Sequence, residues 1–145
     1  MNIPYKNRTY KDIEAAKCGV FNGNYDDYVR LTSRRIIDNY NFCNTDIVLD
    51  IGSGLGDIAK AVSPLVHEVY CCDINEQYLS YAKQNCQGMS NVSFHLVSDT
   101  KLPLSFLLDD TITKAYAHAV FIHNCTEMMI NYLHELKRVL KPGGI

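Results

Sequence analysis

Four groups of residues have types and spacings that could do chemistry. Gly52, Gly54 and Gly56 stand at alternate positions in Asp50-Ile-Gly-Ser-Gly-Leu-Gly56, directly after the apolar run Ile47–Ile51. A chain turning sharply from strand into helix needs positive φ or close backbone approach, and glycine supplies both. The opening helix also presents unpaired N–H groups. A dinucleotide-binding turn would place its third glycine at position 57, which here is Asp57. A carboxylate there would repel a pyrophosphate, which disfavours a nicotinamide dinucleotide. Asp73 follows the run Glu68–Cys72 roughly twenty residues after the glycines, the spacing at which an acidic residue meets ribose hydroxyls. Its two oxygens can accept both hydroxyl protons; the other role open to it is to cap a helix beginning near Asn75. Asp99 lies in Val97-Ser-Asp-Thr-Lys-Leu-Pro103, among turn-forming neighbours. His118 and His123 lie in Ala115-Tyr-Ala-His-Ala-Val-Phe-Ile-His-Asn124; either is a potential base or a packed histidine, and His123 lies past the apolar run among polar neighbours.

The elements that must position these groups alternate. Apolar runs predict strands at 47–51, 68–72, 92–97 and 114–121, and helical spacing predicts helices from Gly56 to Ser63, Asn75 to Cys86 and Thr126 to Leu140. Pro64 stops the first of these helices and Gly88 the second. The stripe of the last helix is Met128, Met129, Tyr132, Leu133, Leu136, Val139 and Leu140. Tyr25, Val29, Ile36 and Tyr40 predict a further helix over 25–40, and residues 1–24 read as a cap or arm. The expected organisation is therefore a helical cap over 1–44 and an α/β domain over 45–145. Its fold class is a doubly wound, mostly parallel Rossmann-like sheet with helices on both faces. In such sheets ligands sit at the carboxyl ends of the strands, and each group above falls at such an end.

Bulk properties narrow the function class. Over 145 residues, 47% hydrophobic and 21% charged, with a net charge of −2 and dispersed Lys and Arg, the chain lacks the basic face that phosphate-driven nucleic-acid binding requires. No apolar h-region opens the sequence and no run of about 18 apolar residues occurs, so no signal peptide or membrane span is expected, and the cytoplasm is the expected location. The six cysteines form no CxxC pair and read as reduced thiols rather than a zinc site. No metal is expected.

Asp50-Ile-Gly-Ser-Gly-Leu-Gly56, Asp73, Asp99 and the closing Leu140-Lys-Pro-Gly-Gly144 together resemble class I S-adenosylmethionine-dependent methyltransferases, of the small-molecule type, over about Asp46 to Ile145. The family sheet has seven strands in order 3-2-1-4-5-7-6, so the resemblance implies a sheet cut off after about four strands, holding mainly the cofactor half. It implies that S-adenosylmethionine is held by Gly52, Ser53, Gly54, Gly56, Asp73 and Ile74. Asp99 and the Thr100 N–H would meet the adenine ring, and Asp50 and the Ala117 carbonyl would lie near the methionine end. His123 is the catalytic candidate and Tyr28 a cofactor contact; Tyr5, Tyr10, Tyr25, Arg30, Arg34 and Arg35 could cap the cofactor, grip an anionic substrate, or simply pack and face solvent. The acceptor is expected to be a small molecule, with neither nucleic acid nor membrane as partner. Self-association through a bare fourth strand or the C-terminal helix, or marginal stability as a monomer, is a further expectation, and Asp73→Ala is expected to weaken cofactor binding with little effect on folding. The competing readings are a non-catalytic cofactor- or partner-binding module and an NAD-dependent oxidoreductase.

Overall fold

The computed structural model describes residues 9–20 and 24–145; Tyr5 lies outside them. Its elements run α1 (Ile13–Val20), α2 (Tyr25–Tyr40), β1 (Ile47–Ile51), α3 (Asp57–Val62), β2 (Glu68–Asp73), α4 (Glu76–Asn85), β3 (Val92–Leu96), β4 (Lys114–Ala117) and α5 (Thr126–Val139). All four strands are parallel, in the order β3-β2-β1-β4. The chain therefore winds outward from β1 in both directions, and the carboxyl ends of β1, β2 and β4 meet at one rim.

Alternation along the strands divides the core. Leu49, Ile51 and Cys72 face Tyr132 and Val139 of α5 on one side of the sheet. Val48, Val69, Cys71 and Tyr116 face Ile36 of α2 and Ala59 and Val62 of α3 on the other. Both faces are thus covered, as a parallel sheet requires. Burial pushes the Cys71 and Cys72 thiols up, so both behave as small apolar groups. Cys18, Cys43 and Cys125 are exposed.

The helix ends follow local chemistry. Asn24 caps α2 by accepting from the Asp27 N–H, and Asn75 caps α4 by accepting from the Tyr78 N–H. Helix α3 is only six residues long and passes into a 3-10 turn, Ser63–Leu65, at Pro64.

Three expectations need correction. The fourth strand ends at Ala117 rather than Phe121: Ala119 takes a left-handed φ of 56° and Phe121–His123 coil into a 3-10 turn. The reversal lets Val120 pack against Gly52, where a Cβ on the glycine would come within 2.4 Å of it. The arm contains a helix, α1, whose Ala16 is fully buried beside Leu55 and Tyr78. On α5 the stripe is shifted: Leu133 is 59% exposed while Glu135 is buried. Glu135 can be buried because Arg138 pairs with it at 2.8 Å. Arg138 also donates to the carbonyls of Leu104 and Leu107 and to Asp109, fastening α5 to the long β3–β4 connection.

At the outer edge of β4, the Ile145 N–H donates to Thr113 O and the Ala115 N–H to Ile145 O, the alternating pattern of a parallel neighbour. No helix among the described residues is long and apolar enough to cross a membrane.

Candidate functional site

A cavity of about 200 Å³ opens at the rim where β1, β2 and β4 end. Its floor is the turn after β1. Gly52, Gly54 and Gly56 have φ of 66°, 53° and 78°, all left-handed. The N–H groups of Gly52 and Ser53 both donate to Cys72 O, which staples the turn to β2. A Cβ on Gly54 would stand in open space, so this glycine leaves the backbone bare towards the cavity it lines.

Asp73 forms the neighbouring wall and is 3% exposed. Its Oδ2 accepts from the Gly54 N–H at 3.0 Å and its Oδ1 from the Asn75 N–H at 2.8 Å. Burial raises its carboxyl above the usual range, and the N–H groups of Asn75, Gly54 and Ile74 oppose that rise without cancelling it. The carboxylate keeps lone-pair capacity beyond these bonds for a ligand hydroxyl. The helix-cap role falls to Asn75 instead. Ile74 lines the cavity beside Asp73.

Asp57, where a dinucleotide turn would have glycine, joins three helices. It accepts from the Tyr25 hydroxyl of α2 and from Asn85 Nδ2 of α4, which donates to Leu55 O as well. Tyr25 and Tyr28 form the α2 side of the cavity with Val29 and Thr32. Burial and the nearby Asp57 charge raise the Tyr28 hydroxyl, against a hydrogen bond with Thr32.

The opposite wall is the segment after β4, where His118, Ala119, Val120, His123 and Asn124 line the cavity above Met128 and Tyr132 of α5. Both histidines therefore reach it. His118 is half-buried and stacks obliquely on Tyr28 at 5.9 Å between ring centres, whereas His123 is exposed. Burial lowers the His118 imidazole and the Arg35 charge lowers it further, so the ring is neutral near pH 7. Asn124 Nδ2 is buried without a hydrogen-bond partner, an unused donor on the cavity wall.

Other predicted residues lie off the wall. Asp50 is 2% exposed and belongs to the face covered by α2 and α3, in register with Cys71 and Tyr116. Its Oδ2 has no partner, and burial pushes its carboxyl up to about 7, against a bond with Tyr116 and helped by the Asp73 charge. Ala117 is exposed at the end of β4, and Gly56 caps α3 behind the turn. Asp99 and Thr100 are exposed; Asp99 Oδ1 accepts from the Lys101 N–H in a local turn and Thr100 O from Asn131. Tyr10 packs on Tyr78 and exchanges hydrogen bonds with Gln77, outside the cavity. Arg30 and Arg34 pair along the helix with Asp27 and Asp38. Among the described residues no cluster of His, Cys, Asp and Glu suits a metal ion.

Sequence reasoning used Asp57 only to argue against a dinucleotide, and it passed over Thr32, Asn124 and Tyr132 as site residues. Asn124 directly follows the histidine segment and was within reach; Tyr132 was legible only as part of a packing stripe.

A family model for a methyltransferase domain matches residues 48–144. The ubiquinone/menaquinone biosynthesis C-methyltransferase UbiE of Coxiella burnetii is 34% identical over 103 residues, 67% of this chain and 39% of that protein. The chain thus spans about two fifths of the length of the curated relatives it matches. Among solved structures, the YcgJ protein of Bacillus subtilis superposes with a TM-score of 0.70 at 27% identity, over 79% of this chain and 48% of that one. A SAM-dependent methyltransferase from Aquifex aeolicus does so with a TM-score of 0.65 at 26% identity, over 76% and 58%.

Proposed function

The chain belongs to the S-adenosylmethionine-dependent methyltransferases, and from that premise we propose that it binds this cofactor in the cavity at the rim of β1, β2 and β4 and serves methyl transfer to a small molecule. The residues fit the group. The bare backbone at Gly54 leaves the room a ligand needs, Asp73 keeps acceptor capacity for a ligand hydroxyl, and Asn124 offers a buried donor. Gly52, Ser53, Gly54, Asp73 and Ile74 hold the cofactor in this reading. Tyr28 closes the cavity from α2, and Gly56 and Asp50 support the turn from behind. Asp99, Thr100 and the Ala117 carbonyl, exposed and off the cavity wall, stay in this reading only as contacts that the family resemblance implies.

The cofactor supplies a methyl group already activated on a sulfonium. The chain's part is alignment of the acceptor and exclusion of water. Where the acceptor must lose a proton, His118 or His123 on the cavity wall accepts it. The UbiE relative is a C-methyltransferase of ubiquinone/menaquinone biosynthesis; a small, unsaturated acceptor is the corresponding expectation here. Self-association through the exposed Ile130 and Leu133 of α5 is a separate proposal, read by sedimentation.

The observation that carries the assignment is Asp73, fixed by two backbone N–H groups at the end of β2 and facing a glycine turn that leaves room for a ligand. Calorimetry with S-adenosylhomocysteine, with NAD as control, tests it. Binding of the first and not the second is expected; no heat from S-adenosylhomocysteine refutes it.

A further inference from the structure

Beside the cofactor cavity lies a second, more open groove of about 460 Å³ along α2. Tyr28, Thr32 and His118 line both, so the two spaces share a wall. Positions 28, 31, 32 and 35 recur at helical spacing and lie on one face of α2; Leu31 and Arg35 complete the groove there. Two rings, Tyr28 and His118, stand at the cavity end with Leu31, itself 58% exposed, beside them.

The charges decide what the groove takes. Asp27 also lines it, but its carboxylate is engaged by Arg30 at 3.0 Å and by Asn24 at 2.8 Å. Arg34, on another side of the helix, pairs with Asp38. Arg35 has no carboxylate partner among the described residues, and its charge reaches His118 across the groove. A guanidinium without an ion-pair partner among the described residues, in a groove that also presents two rings, matches a flat molecule carrying an acidic oxygen.

We propose that this groove is the acceptor subsite, that it takes an unsaturated or aromatic acceptor bearing an anionic group, and that Arg35 binds that group. This rests on the cofactor reading above, since the body of the molecule is then directed past Tyr28 and His118 towards the glycine turn. Arg35 is a specificity residue: an uncharged analogue loses its strongest partner. His118, its imidazole lowered first by burial and then by the Arg35 charge, can accept a proton from a hydroxyl or an acidic C–H at the bound end.

The test is a ¹H–¹⁵N NMR titration of the full chain, with and without S-adenosylhomocysteine, using benzoate and its uncharged isostere benzamide as probes. Benzoate is expected to shift the amides of Tyr28, Thr32 and His118, with benzamide about tenfold weaker. Arg35→Gln should reduce benzoate to the benzamide level, whereas Arg34→Gln should not. Equal binding of the two probes, the same loss in both variants, or no benzoate shifts at the groove overturns the proposal. The benzoate titration without S-adenosylhomocysteine reads the groove by itself, so failure of the nucleoside to bind refutes the cofactor reading separately.

Discussion

Replacing Asp73 separates a residue that holds a ligand from one that also holds the fold. Each carboxylate oxygen accepts one backbone N–H, from Gly54 and from Asn75, and the side chain is 3% exposed. Asp73→Ala removes both acceptors at once. A buried donor left without a partner costs about 1–3 kcal/mol, and the adjoining cavity admits water to part of the space. A loss of about 2–4 kcal/mol follows, on the order of 10 °C in melting temperature for a chain this size. From sequence alone Asp73→Ala is expected to spare folding; the two backbone bonds predict instead that it does not. Asp73→Asn keeps one acceptor and the shape, sets an amide donor against the other N–H, and removes a buried charge, so about 1–2 kcal/mol is expected. Both variants should also weaken S-adenosylhomocysteine, alanine by about 1.5–3 kcal/mol in calorimetry under conditions where it is folded. Urea denaturation with an unchanged slope gives the stability difference. Weakened binding with an unaltered unfolding midpoint would refute the claim that this carboxylate braces the turn.

Asp50 should make stability depend on pH. Its carboxyl lies at about 7 in the folded chain and near 4 when unfolded, so the folded state holds the extra proton and stability falls as pH rises from about 4 to 7. Asp50→Asn should flatten that slope and be relatively more stable at pH 8 than at pH 5, as urea titrations at the two values will show; identical slopes would contradict it. Gly52→Ala meets Val120 at 2.4 Å and a left-handed φ and should cost about 3 kcal/mol in unfolding. Gly54→Ala meets nothing and should cost about 1 kcal/mol, yet weaken S-adenosylhomocysteine tenfold or more by calorimetry because its methyl enters the cavity. Arg138→Ala strands a buried Glu135 and the carbonyls of Leu104 and Leu107 and should cost about 3 kcal/mol in urea melts.

What could be read from sequence was what local chemistry determines. Helix α2 runs Tyr25–Tyr40 and β1 Ile47–Ile51, as expected, because an asparagine cap and a glycine turn mark their ends in the sequence itself. The strand order β3-β2-β1-β4 is the first part of the order that the family resemblance implied; alternation and right-handed crossovers fix the parallel sheet and its hand, not the order. Lys114–Phe121 reads as one continuous strand because nothing in those residues announces the left-handed Ala119; its cause is Val120 fitting against Gly52, some seventy positions away. Glu135 and Arg138 stand at a legible spacing, but the Leu104 and Leu107 carbonyls that complete the cluster lie about thirty residues upstream. At the site, the glycine turn and Asp73 were legible as strand-end punctuation. Asn124 was within reach at the end of the histidine segment, whereas Tyr132 was not, because it meets the cavity only once α5 has crossed the sheet.

Asp57 ties α2, α3 and α4 together through the Tyr25 hydroxyl and Asn85. The arm that covers the cavity and the turn that floors it are therefore fastened at one carboxylate, and the far end of that fastening is the last residue of α4. Breathing of the cover and of the floor are then correlated motions rather than independent ones. A guest that quiets one quiets the other, and the slowing of amide hydrogen exchange should extend to Asn85 and the turn beyond it, residues that touch no part of the cavity.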